Sequence, residues 1–323
     1  MDTDNEGRRC LVVWHALGQR LIREEVRPVI VTEQGVYDLD LVSRVLQQPG
    51  EAWSKWLAGG IEGMLSAWTD VEPALAGLAE RVVDSGRKFE PLGTGTKLCA
   101  PYRPVRIFAT ASNYVEHAQE MGTVLAAKSE SQPFVFMKAD SSVIGPDEAI
   151  ILPARAEKVD WEVELAAVIG IGGRDIPVER ALDHVAAYTV INDITSRDLT
   201  RRTDFPFKHD WFRGKSFDTF APLGPWLVPS DCVGDPQDLR LTLDVNGTRK
   251  QDDSTGSMIF SVAEQISYLS SILTLRPGDL VATGTPDGVG MGTGEFLNAG
   301  DIVTAAVEKV GTITNPIRGA RIE

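Results

Sequence analysis

The chain has 323 residues and a mass of 35.1 kDa, a length that favours either two domains or one large β-rich domain. Hydrophobic residues make up 43% and charged residues 24%, which is ordinary for a folded globular protein and excludes disorder, collagen-like repeats and coiled coil. The formal net charge of -14 has the wrong sign for a surface that follows phosphates, so we expect no nucleic-acid partner.

The cysteines and the first residues of the chain indicate in which cellular compartment the protein is found. Cys10, Cys99 and Cys232 are odd in number and far apart, which suits neither a disulfide framework nor a CxxC metal cluster and favours reducing surroundings. Acidic side chains occupy the start, where a signal peptide needs a basic stretch, and no apolar run approaches about 20 residues. We therefore expect a cytoplasmic protein that does not bind membranes.

The beginning of the chain predicts a small mixed unit. Residues 27–39 indicate two short strands around a turn, with Gly35 available for a positive φ. Apolar residues at helical spacing follow over residues 41–78, where Pro73 is expected to interrupt the helical pattern. Local patterns thus predict strands first and helices second in this part of the chain.

A polar stretch rich in glycine and proline, residues 85–95, is typical of a linker. It predicts a smaller α+β N-terminal domain over residues 1–95 and a larger domain over residues 96–323. Strand signals dominate the larger part, which we expect to be β-rich within a mixed α+β fold. The predicted strands are residues 105–110, 134–137, 163–171, 187–194, 241–245, 280–283 and 302–307.

Three local signals add detail to the larger part. Asn246-Gly247 between strand-like segments predicts a hairpin. Helical spacing of apolar residues predicts helices over residues 114–128 and 261–273. The second of these opens with Ser261 and, three residues later, a glutamate, which is the spacing of a capping box.

Two glutamates stand at the head of one apolar strand. The two-residue period of a strand puts Glu162 and Glu164 on one face, where like charges about 6–7 Å apart require a positive group between them. Asp193, at the end of another apolar strand, can supply a third oxygen. Three carboxylates without histidine or thiolate suit Mg²⁺ or Mn²⁺ better than zinc. The alternative is an ordinary solvated face of an antiparallel sheet.

Five segments occur in the order found in the fumarylacetoacetate hydrolase superfamily, which the chain resembles over roughly residues 100 to 318. The resemblance implies a fumarylacetoacetate hydrolase-type β-roll, a homodimer, and Mg²⁺ or Mn²⁺ held by Glu162, Glu164 and Asp193. The segments are Glu162-Val163-Glu164, Asn192-Asp193-Ile194-Thr195-Ser196-Arg197-Asp198-Leu199, Gly214-Lys215-Ser216-Phe217, Ser257-Met258-Ile259-Phe260-Ser261 and Thr283-Gly284-Thr285-Pro286.

A histidine and a glutamate lie three residues apart on a predicted helix, which makes His117 and Glu120 neighbours on its surface. From the residues alone, the alternative is an exposed pair on a surface helix. Short-chain acylpyruvate hydrolases carry a similar Tyr-x-x-His-x-x-Glu segment on a lid. This likeness implies a catalytic dyad in which Glu120 orients His117 and the imidazole takes a proton from water, with Tyr114 binding substrate.

Two lysines occur in apolar or motif surroundings, whereas an isolated lysine usually solvates a surface. The resemblance implies that Lys215 is a catalytic cation that stabilises an enolate, and that Thr285 places a hydroxyl at the same end of the substrate. Lys138 is a weaker candidate for substrate binding, because the proline that usually follows it in the family is Ala139 here.

One position departs from the family pattern. Several relatives carry glutamine two residues after the Arg197-Asp198 pair, where it contacts substrate. This chain has the shorter Thr200 there, which we take as a substrate-binding candidate although it lacks the reach of an amide. For Arg197 and Asp198 we favour a local ion pair that braces the strand end and supports the metal aspartate. The next segment predicts either a larger aromatic pocket or a hydrophobic loop at a subunit contact, through Phe205, Phe207, His209, Trp211 and Phe212.

The resemblance implies a metal-dependent enzyme that hydrolyses a C–C bond in an acylpyruvate-like β-diketo acid, with a small oxo-acid as its partner. Fumarylpyruvate or a diketo acid from aromatic or sugar-acid catabolism would be such a substrate. The same superfamily contains decarboxylases and isomerases of 2-oxo or 2-hydroxy-diene dioates, and this alternative stays open. A rival from another class is a catalytically retired binding protein, which the departures at Ala139 and Thr200 would explain.

Overall fold

The computed structural model describes residues 13–86, 88–93, 95–122, 124 and 126–320. Its strands are β1 (His15–Ile22), β2 (Glu25–Thr32), β3 (Gly35–Asp38), β4 (Leu98–Cys99), β5 (Ile107–Ala111), β6 (Phe134–Lys138), β7 (Val143–Ile144), β8 (Ile150–Ile151), β9 (Val159–Asp160), β10 (Val163–Ile169), β11 (Val185–Asn192), β12 (Thr195–Ser196), β13 (Ala221–Pro229), β14 (Arg240–Val245), β15 (Thr248–Ser254), β16 (Leu280–Ala282), β17 (Ile302–Val307) and β18 (Gly311–Arg318).

The α-helices are α1 (Leu39–Leu46), α2 (Trp53–Ala58), α3 (Gly60–Ser66), α4 (Trp68–Asp84), α5 (Val115–Glu120), α6 (Arg197–Thr200), α7 (Trp211–Lys215), α8 (Ser230–Val233), α9 (Val262–Ile272) and α10 (Gly290–Thr293). Short 3-10 helices lie between some of the strands, or between a strand and a helix. Over the part of the chain that the structure describes, no helix combines the length and the apolar character that crossing a membrane requires.

Most strands belong to one large open sheet. Its order is β3-β2-β1-β13-β11-β10-β16-β5-β6, with β4 beside β1 and β7 beside β13. Leu17 of β1 lies opposite Leu227 of β13, so the first strands of the chain extend the sheet that the later strands build. The sheet therefore crosses the position near residue 95 where the sequence predicts a domain boundary, and the division into two domains stays a prediction.

A second open sheet has the order β15-β14-β17-β18-β8, and β9 pairs with β12 in a short separate ladder. Most neighbouring strands run antiparallel, while β7 with β13, β5 with β16 and β8 with β18 run parallel. Neither large sheet closes into a barrel. This arrangement confirms the expected mixed, β-rich α+β architecture.

Alternating side chains on β10 support two separate cores, because successive residues of a strand point to opposite faces. Leu165 and Ala167 pack in a cluster with the five-stranded sheet and α9. Ala166 and Val168 pack in the other cluster, with the helices α1 to α4. The two glutamates that precede them are in phase with Ala166 and Val168, so they emerge on the face of the sheet that carries the helices.

Two local predictions are confirmed. Asn246 and Gly247 adopt positive φ values of 52° and 75° and join β14 to β15, as an Asn-Gly hairpin requires. Helix α9 begins after Ser261, whose side chain accepts the backbone N–H of Glu264, while the Glu264 carboxylate accepts the N–H of Ser261. Both signals are short-range, which is why the surrounding fold does not override them.

Two helix predictions are wrong in extent. The helix expected over residues 114–128 ends at Glu120, because Gly122 adopts a φ of 66°, a left-handed conformation that stops an α-helix. Pro73 lies inside α4 instead of interrupting the helical pattern. The apolar face of α4 is buried against the sheet, and this packing outweighs the hydrogen bond that proline removes.

His15, the first residue of β1, is expected to make the fold sensitive to acid. Its side chain is buried, and burial lowers the pKa of the imidazole below 6.5, against the opposing effect of a 2.8 Å hydrogen bond between Nδ1 and the Val13 carbonyl. The unfolded chain therefore binds a proton that the folded chain excludes. The free energy of unfolding should decrease as the pH falls below 6.5.

We expect His15→Gln to flatten this part of the pH dependence, because glutamine does not titrate. Urea unfolding of both proteins between about pH 5 and pH 7.5 measures the effect. A wild type and a variant with the same slope over this range would contradict the assignment to His15.

Candidate active site

A cavity of about 530 Å³ opens beside the start of β10. This volume is typical of sites for small molecules. Buried polar groups, among them Glu162, Glu164 and Lys215, line its inner end, while the exposed side chains of Arg201 and His209 line its outer end. Larger depressions on the described surface, of up to about 680 Å³, lack these carboxylates. The cavity is therefore the candidate active site.

Three carboxylates meet at the inner end. Glu162, Glu164 and Asp193 are buried, and each places an oxygen within 4.8 Å of the other two. Antiparallel pairing explains the convergence, because Val163 of β10 lies opposite Asn192 of β11 and so brings the start of one strand to the end of the other. A compact set of buried carboxylate oxygens is the donor set that hard divalent cations prefer, so these residues fit Mg²⁺ or Mn²⁺.

Two buried lysines bind carboxylates of this cluster. Lys215 Nζ lies 2.6 Å from Glu162 Oε2 and also donates to Asp193. Lys138 Nζ donates to the other oxygen of Asp193 and to the carbonyls of Ile194 and Lys215. The mutual arrangement satisfies groups that would otherwise be costly to bury. It also fixes a positive charge, that of Lys215, at the wall of the cavity.

Arg197 adds a third cation, with partners that the sequence did not indicate. Its Nη2 lies 2.6 Å from Glu162 Oε1, and its Nε donates to Asp160 Oδ2 at 2.7 Å. The expected local pair with Asp198 is wrong: the Asp198 carboxylate instead accepts the backbone N–H groups of Glu157 and Lys158, and the hydroxyl of a neighbouring serine. Arg197 itself lines the cavity.

The two glutamates of β10 have opposite electrostatic surroundings. Burial raises the pKa of Glu162, but attraction to Lys215 and Arg197 outweighs it and holds this pKa well below its usual range. For Glu164, burial and repulsion from Asp193 and Glu162 together raise the pKa well above its usual range. Glu164 makes no ion pair with any described residue. A cation beside Glu164 would compensate a charge that the protein leaves unpaired.

His117 and Glu120 lie together on α5. The imidazole is buried and lines the cavity, and its Nδ1 is 3.7 Å from Glu120 Oε2. That distance exceeds a hydrogen bond, and Nδ1 has no hydrogen-bond partner among the described residues. The backbone N–H of Gly288 donates to the Glu120 carboxylate at 3.2 Å and holds it beside the ring. A small movement of α5 would close the dyad, as is common in unliganded enzymes.

Both predicted threonines line the cavity, but their hydroxyl protons are already used. Thr285 Oγ1 donates to the Val163 carbonyl at 2.8 Å and accepts the side-chain amide of Gln251 at 2.8 Å. Thr200 Oγ1 donates to the Arg197 carbonyl at 2.8 Å. Each hydroxyl can therefore meet a substrate only as a hydrogen-bond acceptor. The threonine at position 200 thus offers no donor in place of the glutamine amide that relatives carry.

Two other candidates for substrate binding lie behind the wall of the cavity. Tyr114 is fully buried, and its hydroxyl has no hydrogen-bond partner among the described residues. Burial, followed by the charge of Glu164, raises its pKa well above the usual value. Lys138 is buried beneath Asp193. Neither side chain lines the cavity, so both lie next to the carboxylates without reaching the space a substrate would fill.

Aromatic residues form one wall of the cavity. The Trp211 ring packs against Phe136 and Phe134, with centroid distances of 5.2 and 5.8 Å, and Lys215 Nζ lies 5.1 Å from the centre of the Phe136 ring. The sequence predicted either an aromatic pocket or a hydrophobic surface loop for the segment that contains Trp211, and the structure shows some of its residues in each place. Trp211 and His209 line the cavity, whereas three phenylalanines are exposed at the surface, namely Phe205, Phe207 and Phe212.

Comparison with known proteins decides the family. The pattern of the fumarylacetoacetate (FAA) hydrolase C-terminal family matches residues 106–318. The chain belongs to the fumarylacetoacetate hydrolase family. This match covers most of the chain, and it confirms the resemblance and the fumarylacetoacetate hydrolase-type fold expected from the five ordered segments.

Three relatives show what the family contains. A 2,4-didehydro-3-deoxy-L-rhamnonate hydrolase from Sphingomonas sp. strain SKA58 is 45% identical over 210 residues, which are 64% of this chain and 71% of that protein. The 5-carboxymethyl-2-hydroxymuconate delta-isomerase from Mycobacterium smegmatis is 28% identical with a TM-score of 0.66, covering 94% and 99% of the two chains. Maleylpyruvate hydrolase from Sphingobium sp. SYK-6, in complex with manganese(II) and pyruvate, is 25% identical with a TM-score of 0.71, covering 95% and 100%.

Proposed function

We propose that this protein is a metal-dependent hydrolase that cleaves a C–C bond in an acylpyruvate-like β-diketo acid. One observation carries the proposal: Glu162, Glu164 and Lys215 line the same cavity as His117. Asp193 lies beside the two glutamates, and Glu120 lies beside the imidazole. The carboxylates supply a site for a cation, and the pair supplies a base for water. Two hydrolases among the relatives, one of them complexed with manganese and pyruvate, support this assignment.

Different residues at the cavity have different roles in the proposed reaction. Glu162, Glu164 and Asp193 would hold a divalent cation, which when bound supplies the positive charge that holds a 2-oxo acid and polarises its carbonyl. His117 takes a proton from water, whose oxygen attacks the acyl carbonyl carbon distal to the carboxylate. Glu120 stabilises the charged imidazole that results.

Cleavage then breaks the bond between the acyl carbon and the neighbouring CH₂. The bond electrons leave as the enolate of pyruvate, and the acyl part leaves as a carboxylic acid. Lys215, held by Glu162 and Asp193, provides a fixed positive charge toward the enolate oxygen. The enolate takes up a proton on carbon to give pyruvate, so that one water is consumed for each molecule cleaved.

The substrate class is tested by incubating the Mn²⁺-loaded and Mg²⁺-loaded protein with acylpyruvates and diketo sugar acids. We expect products whose summed mass is that of the substrate plus one water, one of the products being pyruvate or a related oxo-acid. An isomerase is the second candidate, which the relationship to the Mycobacterium smegmatis isomerase favours. It would act on diene dioates and leave the mass unchanged, and loss of carbon dioxide would instead indicate decarboxylation. Either result without hydrolysis would contradict the proposal.

We also propose that the enzyme is a homodimer, as the family resemblance implies. Light scattering of the purified chain should then give twice the 35.1 kDa mass of one chain. A mass equal to that of a single chain would contradict this part of the proposal.

Gly292 leaves the room that Glu120 occupies. A Cβ at position 292 would overlap the Glu120 carboxylate, which is the flexible end of a side chain and can move away. We expect Gly292→Ala to change the free energy of unfolding by no more than about 0.5 kcal/mol. Turnover should fall by about tenfold or more, because the displaced carboxylate no longer orients His117.

Thermal unfolding and acylpyruvate turnover measure the two effects. Gly93→Ala is the matched control, because a Cβ at that position meets no atom within 4 Å. Normal turnover in the Gly292 variant would show that Glu120 needs no fixed position.

A further inference from the structure

A short hairpin forms the outer rim of the cavity. We call residues 200–210 the rim hairpin. Arg201 and His209 pair across it, the Arg202 N–H donates to the Lys208 carbonyl, and the Asp210 N–H donates to the Thr200 carbonyl. These backbone bonds fix the side from which each residue projects. Arg201 and His209 line the cavity, whereas Lys208, on the same hairpin, is exposed and does not.

Two other arginines, one in the rim hairpin and one just after it, bind groups of this same segment. Arg202 binds Asp204 at 2.7 Å and Asp210 at 3.3 Å. Arg213 donates to the backbone carbonyls of Leu199 and Arg201, at 2.9 and 3.1 Å. Their charges are therefore engaged by groups of the protein itself.

Arg201 differs from both. Within the described residues its guanidinium has no ion pair and no hydrogen bond, and it stands at the exposed end of the cavity. The acidic side chains that line the cavity are Glu162 and Glu164, both at the buried end and both part of the carboxylate cluster. The outer end thus carries a permanent positive charge without a counter-charge from the described lining.

One wall of the cavity between the two ends is aromatic. The tilted rings of Trp211 and Phe134 lie in contact along the wall that leads from Lys215 toward the rim. A ligand that fills the cavity would then place a polar group at the carboxylates, carbon atoms along the aromatic rings, and its far end at Arg201. The guanidinium fork matches the geometry of a carboxylate, which it can bind through two hydrogen bonds.

We propose that Arg201 binds a second carboxylate at the far end of the substrate, so that the preferred substrates are dianionic oxo-acids. This inference rests on the proposed function, which places the 2-oxo acid end at the carboxylate cluster. A sugar acid or an alkyl acylpyruvate, whose far end is neutral, would leave Arg201 without a partner. Arg201 thus sets specificity at a distance from the bond that is cleaved.

Two six-carbon ligands test this without any turnover. 2-Oxoadipate and 2-oxohexanoate share the 2-oxo acid end and differ at the far end, which is a carboxylate in the first and a methyl group in the second. Neither has the second oxo group that hydrolysis requires. Calorimetric titration of the Mn²⁺-loaded full chain should give an affinity for 2-oxoadipate about 10- to 100-fold higher, the range for a charged hydrogen-bonded pair.

Arg201→Gln should remove this preference and leave the affinity for 2-oxohexanoate within about twofold. Lys208→Gln is the matched control, because it removes the same charge from the same hairpin outside the cavity, and it should keep the preference. In turnover, Arg201→Gln should raise KM for acylpyruvates that end in a carboxylate, with little change for those that end in a methyl group.

Three results would overturn the inference. Equal binding of both ligands by the wild type would contradict the role of Arg201 and leave the proposed function intact. The same loss of preference in the Lys208 and Arg201 variants would reduce the effect to overall charge. Failure of both ligands to bind to the Mn²⁺-loaded protein would contradict the proposed function as well, because that function requires the 2-oxo acid end of a ligand to bind at the carboxylate cluster.

Discussion

Replacing Glu164 with glutamine is expected to abolish stabilisation by divalent ions while leaving the metal-free protein at least as stable as the wild type. Glu164 is buried beside Glu162 and Asp193 and makes no ion pair with any described residue. A neutral amide of similar size removes the repulsion between the Glu164 carboxylate and these two neighbouring carboxylates. The same change removes one of the three oxygen ligands that we propose for the cation, which should then no longer bind tightly.

Thermal unfolding with a chelator and with Mn²⁺ measures both effects. The wild type should unfold at a higher Tm with Mn²⁺, because a ligand that binds only the folded state stabilises it, whereas Glu164→Gln should show no shift. Turnover should fall by about 10³-fold or more, which corresponds to the several kcal/mol that a cation contributes to charge stabilisation.

Glu162→Gln is the matched comparison, because it makes the same chemical change two residues earlier on the same strand. It takes from Lys215 and from Arg197 one of the two buried carboxylates that each of them binds, and breaking a buried ion pair costs about 3–5 kcal/mol. We therefore expect Glu162→Gln to destabilise the metal-free protein and Glu164→Gln not to. Equal loss of stability in the two variants would contradict the different roles assigned to these glutamates.

Replacing His117 with asparagine is expected to lower turnover by about 10²- to 10⁴-fold, the contribution of a positioned general base. The imidazole lines the cavity, and it lies outside the carboxylate cluster. The Mn²⁺-induced increase in Tm should therefore persist in His117→Asn. The pair of results separates proton transfer from cation binding.

Glu116→Gln provides the control for this experiment, since Glu116 is the exposed neighbour of His117 on α5. It should turn over substrate at close to the wild-type rate. A His117 variant as active as the Glu116 variant would remove the histidine from the mechanism and leave the base unidentified.

The carboxylate cluster could be predicted because its geometry is mostly local. Glu162 and Glu164 share a face through the two-residue period of a strand, and Asp193 ends a second apolar strand. What the sequence could not supply was the pairing of β10 with β11, which brings Asp193 to the two glutamates. The family resemblance supplied that pairing.

Arg197 marks the limit of local reasoning. Its neighbour Asp198 is the obvious partner in sequence, yet the guanidinium reaches Asp160, which lies 37 positions earlier. The ladder of β9 with β12 places Asp160 opposite Thr195 and so makes this contact possible. No periodicity or turn signal records a two-residue ladder, so neither the ion pair nor the exposure of Arg197 to the cavity could be predicted.

The sequence analysis did not predict strand β13, and the reason is a different one. Its sequence, Ala221–Pro229, contains three prolines and a glycine, which are signals of turns. It is nevertheless a central strand between β1 and β11, and its pairing with β11 includes an irregularity that interrupts the regular ladder. Burial of its apolar side chains on both faces of the sheet outweighs its low strand propensity.

The pairing of β1 with β13 also limits how far the protein can be shortened. The family match begins at residue 106, and a truncated enzyme starting there would lack β1 along with α1 to α4. The part of β13 that pairs with β1 would then present bare N–H and C=O groups next to an uncovered apolar face. Such an edge recruits other chains, so the truncated protein should precipitate on expression instead of yielding a minimal catalyst.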